Sequence, residues 1–327
     1  MSRPDILVPA PMREMILDGL APHFTLHRLY EAEDRDAMLA AVADRIRGIA
    51  ISFRPVDKAL VDRLPKLEIV ANFGVGYDNV DAAYCGTKGV IVTNTPDVLT
   101  DEVADTAIAL MIMTVRELPA AERWLREGRW KSQGPFPLTR GTLRGRTLGI
   151  LGLGRIGKAI ATRAEAFGMA IHYHNRSRQA DVPYTYHPSL VSLAEAVDTL
   201  MLVAPGGEET RHMVGERVLE ALGPEGVLIN IGRGSVVNEA ALAAALRQGT
   251  ILAAGLDVFE NEPQVPQALL DLPNAVLLPH VGSASVATRN AMGQLVVDNL
   301  VGWFRDGRVL TPVAETPVPA MSPRHGA

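Results

Sequence analysis

The 327-residue chain holds one cysteine, Cys85. A single thiol excludes an intrachain disulfide and any multi-cysteine metal site, and it suits a reducing cytoplasm. We read Cys85 as a small, packed or half-buried residue, and we expect no bound metal. The chain also lacks a dense basic block: 32 Lys and Arg stand against 37 Asp and Glu, for a formal charge of -5, which argues against a nucleic-acid surface. No apolar run is long enough to span a bilayer, since the longest, near residues 104–115, carries Asp105. Arg3 and Asp5 crowd the short apolar run at Ile6, so no secretory leader is expected. What remains is an ordinary globular composition, 47% hydrophobic and 21% charged. The length suggests two domains.

The most informative stretch is an apolar run ending in Gly152-x-Gly154-x-x-Gly157, followed at once by helix-forming residues up to Gly168. Strand, glycine turn and helix in that order is the context in which this pattern binds a dinucleotide. Gly152 permits the tight turn, Gly154 leaves no side chain between backbone and pyrophosphate, and Gly157 lets helix and strand pack closely. The helix start then offers N–H groups and a positive dipole end to phosphate. The next strand, residues 170–174, ends at Asn175, Arg176 and Ser177, where the ribose is read about twenty residues past the turn. A carboxylate there would repel a 2′-phosphate. Here an Arg suited to gripping phosphate stands instead, which favours NADPH with NADH still possible. The plainer reading is a solvated basic loop.

Ahead of this unit, short strands (5–8, 24–28, 48–52, 67–71, 89–93) alternate with helices (11–19, 35–45, 57–64), the pattern of a parallel sheet covered on both faces. At one strand end, two glycines flank Val75 and can present successive N–H groups, at Val75 and Gly76, as an anion nest. The same residues also read as a simple glycine-rich turn. A long apolar helix covers 101–116, and residues 124–137 read as a loop-like arm with Trp130, Phe136 and two prolines. Later strands (199–203, 227–231, 251–257, 275–278) end in Pro205, in Ile231 and Arg233, in Asp257 and Glu262, and in His280. Arg233 alone could be a surface cation, Glu262 a cap before proline, and His280 a satisfied loop histidine. Their shared placement on the sheet edge that carries the glycine turn makes them a set able to bind an anion and donate a proton.

Six blocks, at 72–81, 94–105, 149–157, 229–238, 256–263 and 278–285, resemble the D-isomer-specific 2-hydroxyacid dehydrogenases, nearest the glyoxylate/hydroxypyruvate reductases. The resemblance implies an α/β chain of two doubly wound parallel-sheet (Rossmann/flavodoxin-like) domains with an active-site cleft between them. Residues 1–99 and 284–327 would bind substrate and 100–283 the dinucleotide, with the helix at 285–304 on the first domain and the tail loose beyond Thr316. It implies Arg233 as the substrate-orienting arginine, His280 as acid/base, Glu262 as its carboxylate partner, and the Val75 and Gly76 N–H groups on the substrate carboxylate. On the cofactor side it implies Arg155 and Ile156 at the pyrophosphate, Pro205 on the adenosine side, and Ile231 and Asp257 near the nicotinamide. The family is typically dimeric, which makes the 101–116 helix and the arm to Leu138 the expected interface. Two departures stand out: Asn175 replaces the usual carboxylate, and Gly206-Gly207 replaces more polar residues. Glu262 and the length disfavour formate and phosphoglycerate dehydrogenases. A 2-ketogluconate or other D-2-hydroxyacid dehydrogenase, its pocket set by Ser52, Arg54, Phe73 and the arm of a partner subunit, and a dinucleotide-sensing corepressor-like protein are the alternatives.

Overall fold

The computed structural model describes residues 3–316; the tail expected to be loose lies outside them. The chain divides into two compact units, one drawn from residues up to Leu99 and from Ser285 onward, the other Thr100–Ala284. In the first, β1 (Asp5–Val8), α1 (Glu14–Leu20), β2 (Thr25–Arg28), α2 (Arg35–Val42), β3 (Ile46–Ile51), α3 (Lys58–Asp62), β4 (Ile69–Asn72), α4 (Ala82–Thr87) and β5 (Ile91–Thr93) follow in order. Their strands form one parallel sheet, β2-β1-β3-β4-β5. Strands such as β4 are buried along their whole length because both faces are covered. On one face Leu7, Ile49, Val70 and Val92 join helix residues such as Leu39 and Val61 in a single core.

The second unit begins with α5 (Thr100–Val115), α6 (Leu118–Arg126) and α7 (Arg129–Gln133). It continues through β6 (Thr147–Leu151), α8 (Arg155–Ala166), β7 (Ala170–His174), β8 (Thr185–Tyr186), α9 (Leu190–Glu195), β9 (Thr199–Leu202) and α10 (Glu216–Leu222). It closes with β10 (Val227–Asn230), α11 (Glu239–Gln248), β11 (Ala253–Leu256), α12 (Gln267–Leu270) and β12 (Ala275–Leu277). The sheet runs β12-β11-β10-β9-β6-β7-β8, parallel throughout. The order reverses direction beside β6, and ligands of doubly wound sheets lie outside the strand ends at such a point. Arg163 of α8 bonds Asp101 (3.0 Å) and Asp105 (2.6 Å) of α5, fixing the two helices side by side. The last helix, α13 (Val286–Asp306), belongs to the first unit, capped by Ser285, whose hydroxyl accepts the Thr288 N–H, and closed by Gly307 at φ 71°.

The arm expected to be loop-like is largely helical. Pro119 sits in the first turn of α6, where its fixed φ favours helix, and Gly128 (φ 69°) and Gly134 (φ 89°) merely bracket α7. Trp124 donates its Nε1–H to the Gly134 carbonyl (3.1 Å) and meets Phe136 edge-on at 5.8 Å.

The glycine turn is locked by contact. Gly152 has φ 96°, and a Cβ on it would fall 2.8 Å from the Ala204 nitrogen. A Cβ on Gly157 would fall 2.4 Å from the Gly152 carbonyl oxygen, with only backbone there to yield. At Gly154 it would meet nothing within 4 Å. Gly157→Ala is therefore expected to cost about 2 kcal/mol or more of stability by overpacking, while Gly154→Ala leaves the melting temperature nearly unchanged. Thermal unfolding of both variants checks this, and equal melting temperatures would contradict it.

Candidate active site

Arg233 and Asp257 follow strands that are buried along their whole length, and His280 follows the half-buried β12. β10 ends at Asn230, which is 1% exposed and steers the backbone beyond it: its Nδ2 donates to the Arg233 carbonyl (2.9 Å) and its Oδ1 accepts the Gly232 N–H (3.1 Å). Arg233 itself is extended, and its guanidinium donates to the Gly232 carbonyl (2.9 Å). β11 ends at Asp257, also 1% exposed, whose two carboxylate oxygens accept the N–H groups of Val281 (2.7 Å) and Gly282 (2.9 Å). The Asp257 carbonyl accepts the His280 N–H (2.8 Å), and His280 takes a left-handed φ of 54°. Burial pushes the Asp257 carboxyl up, opposed by those two N–H groups and by charge at His280.

This scaffold aims His280 at Glu262: the ring Nδ1 lies 2.7 Å from Oε2, with both side chains about one-third exposed. Glu262 Oε1 accepts the Phe259 N–H (3.0 Å). Burial alone would raise the Glu262 carboxyl, but the His280 ring, the Phe259 N–H and the Arg233 charge outweigh it and hold the group below its ordinary value. Arg233, Glu262 and His280 are thus brought together. A carboxylate at Nδ1 favours the tautomer of the neutral ring that carries its proton there, which leaves Nε2 as the nitrogen without one.

The cofactor-side residues form a path to this trio. Ala204 lies against Gly152 and Gly232, and Ile231, 7% exposed, lies beside Gly282, two residues past His280. Pro205 is exposed, its carbonyl accepting the Thr210 hydroxyl (2.8 Å). α8 starts at Gly154 with no side-chain cap, with Arg155 exposed and Ile156 half-buried. Open space over Gly154 and an uncapped helix start fit a pyrophosphate. Asn175 turns inward, its Oδ1 accepting the Leu153 N–H (2.7 Å), so it shapes the glycine turn. Ser177 is exposed. Arg176, 89% exposed, pairs with an equally exposed Glu209 at 3.3 Å, a contact too solvated to hold it.

In the first unit, the loop carrying Val75 and Gly76 is tied down by its carbonyls. Asn72 Nδ2 donates to the Gly76 oxygen (2.9 Å), Asn94 Nδ2 to the Val75 oxygen (2.8 Å), and Thr95 N–H to the Gly74 oxygen (3.0 Å). The N–H groups of Val75 and Gly76 donate to nothing among the described residues. Sequence reasoning missed Asn72, Asn94 and Asn230 as supports. Their one signal was a buried amide closing or following an apolar strand, the cheapest way to satisfy backbone groups where the ladder ends.

This arrangement defines a dinucleotide-dependent α/β enzyme class, and sequence comparison narrows it. The model for the D-isomer specific 2-hydroxyacid dehydrogenase NAD binding domain matches residues 108–282, and the chain belongs to this family. An NADPH-dependent glyoxylate/hydroxypyruvate reductase from Sinorhizobium meliloti, solved in complex with NADP and malonate, is 55% identical, covering 98% of this chain and 100% of that one with a TM-score of 0.92. Glyoxylate/hydroxypyruvate reductase A of Arabidopsis thaliana is 47% identical over 309 residues, 94% of this chain and 98% of its own. A 2-ketogluconate reductase of Gluconobacter oxydans is 41% identical over 313 residues, 95% and 99% of the two chains.

Because the folded state lowers the Glu262 pKa, this group contributes stability that is fully present above its unfolded value of about 4.3. That contribution is lost as pH falls through the folded value. The melting temperature of Glu262→Gln is expected to lie below wild type at pH 7 and to converge with it as pH falls through the lowered folded value. A gap that widens in acid would reverse this sign.

Proposed function

We propose that this protein reduces glyoxylate and hydroxypyruvate to the D-2-hydroxy acids with NADPH, NADH serving less well. The observation that carries the reading is the 2.7 Å His280–Glu262 pair, held close to Arg233 on the strand ends that also bear the open glycine turn. NADPH, when bound, supplies the hydride. The residues of the chain do the rest. Arg233 grips a substrate carboxylate oxygen and the keto oxygen through its planar fork, and the unused N–H groups of Val75 and Gly76 take the remaining carboxylate charge. As negative charge builds on the keto oxygen, His280 delivers a proton from Nε2 there, and the Glu262 carboxylate at Nδ1 keeps the ring oriented until transfer. Gly154 and the first turn of α8, with Arg155 and Ile156, receive the pyrophosphate. Asn175 shapes that turn, and Arg176 with Ser177 grips the 2′-phosphate. Pro205 lines the adenosine side, and Ile231 and Asp257 the nicotinamide side.

We also propose a cytoplasmic homodimer formed through the arm. Leu125, Trp130 and Leu138 are 57%, 62% and 100% exposed, more apolar surface than one short segment of a monomer usually leaves in water. No helix among the described residues is long and apolar enough to cross a membrane. The lone thiol, Cys85, is buried and pushed up to about 11, which keeps it unreactive.

A panel of glyoxylate, hydroxypyruvate and 2-ketogluconate assayed with both cofactors tests the substrate reading. His280→Ala is expected to lower kcat by about 10²–10⁴. Glu262→Gln is expected to lower kcat about tenfold or more, because the ring loses the carboxylate at Nδ1 that fixes its orientation. A fully active His280→Ala enzyme overturns the assignment. Arg176→Ala is expected to raise the KM for NADPH about 10–100-fold and leave that for NADH alone. Equal effects on the two would remove Arg176 from the phosphate site.

A further inference from the structure

A second group of charged residues lies behind the catalytic pair. Arg211 (2.6 Å) and His212 Nε2 (2.8 Å) both bond Glu260 Oε1. His212 takes a left-handed φ of 51°, and its N–H donates to the Ser235 carbonyl (2.8 Å). The Glu260 backbone N–H donates to Oε1 of Glu239 (2.8 Å), a residue only 7% exposed in the first turn of α11. Beside these bonds, Gly234 is pressed against the peptide between Phe259 and Glu260. A Cβ there would fall 1.9 Å from the Phe259 carbonyl carbon and 2.3 Å from the Glu260 nitrogen.

Gly234 follows Arg233 directly, and Glu260 precedes Glu262 by two residues. The backbone contact therefore sets how far the guanidinium stands from the carboxylate. A contact alone resists approach, not separation; a bond must resist separation. Glu239 supplies that bond, reaching from the segment that follows Arg233 to the turn that carries Glu262. Its location is costly: burial pushes the Glu239 carboxyl up, only the Glu260 N–H and His212 oppose this, and the charges of Glu260 and Glu262 add to it. A neutral or apolar side chain would be cheaper there unless the carboxylate oxygen has a positional job.

We propose that Glu239 is a positioning residue for catalysis, holding the Glu260 peptide against Gly234 so that Glu262 aims His280 at the substrate held by Arg233. Arg211 and His212 complete the clamp by fixing the Glu260 side chain. The proposal rests on the reading of Glu262 and His280 as the proton-handling pair. The test compares Glu239→Ala with Glu239→Gln, whose amide oxygen still accepts the Glu260 N–H. Glu239→Ala is expected to lower kcat with glyoxylate about tenfold or more, since small misplacements of reacting groups cost that much. The KM for NADPH should stay within about twofold, because uniform binding is untouched, and Glu239→Gln should recover most of the turnover.

Proton NMR of the unliganded full chain gives a readout free of turnover. The low-field Nδ1–H signal of the His280–Glu262 pair should persist in Glu239→Gln and broaden or shift upfield in Glu239→Ala. A Glu239→Ala protein that melts lower but keeps both kcat and that signal has lost only structure, and the proposal falls. So does a Gln variant as impaired as Ala. If wild type reduces none of the three acids, the catalytic reading fails on its own and the NMR comparison decides the clamp. Should Glu239→Ala not fold, Glu239→Leu, which keeps the bulk but cannot accept the Glu260 N–H, carries the same measurement: a lost signal and reduced kcat support the clamp, and both unchanged overturn it.

Discussion

Asp257 spends both carboxylate oxygens on the N–H groups of Val281 and Gly282 while its carbonyl takes the N–H of His280. Three bonds from one buried residue define a loop that would otherwise have many conformations, and they offset the penalty of removing a carboxylate from water. They also explain why a histidine can occupy the left-handed region there. The strain of φ 54° is modest for this residue type, and the surrounding bonds over-determine the backbone. The ring direction, the Glu262 partnership and the lowered Glu262 carboxyl all follow from where that loop is held.

Much of this was legible in the chain. Apolar runs that stay buried on both faces mark parallel strands, and polar residues just past them mark the functional edge. That is why Arg233, Glu262 and His280 stood out beside the glycine turn. The arm was misread because its two helices are short and the second is bracketed by Gly128 and Gly134, and because the force that closes them is a contact between Trp124 and Phe136 across twelve residues, which local spacing does not report. Asn175 was legible as a departure from the family pattern but not as a support. That role depends on a bond to Leu153 from a strand twenty-two residues on, and only the folded turn brings the two together. The supporting amides Asn72 and Asn230 showed only their place at the end of an apolar strand, and their partners were hidden for the same reason.

The two units solve the same problem by the same means. In each, backbone carbonyls just past a strand end are tied to asparagine amides, Asn72 and Asn94 in one and Asn230 in the other. Such bonds leave a loop rigid without filling it with side chain. In the first unit they also leave N–H groups at Val75 and Gly76 unspent. Amides suit this work because they donate without bringing a net charge beside groups whose own charge matters to the chemistry.

The division of labour between Asn175 and Arg176 has a consequence for descent. The first holds the glycine turn from inside, and the second stands in water with only a weak tether to Glu209. A lineage carrying this scaffold can exchange its exposed cation at 176 without a penalty in folding, so long as the inward amide is kept. Surface and architecture are inherited here through neighbouring but independent letters.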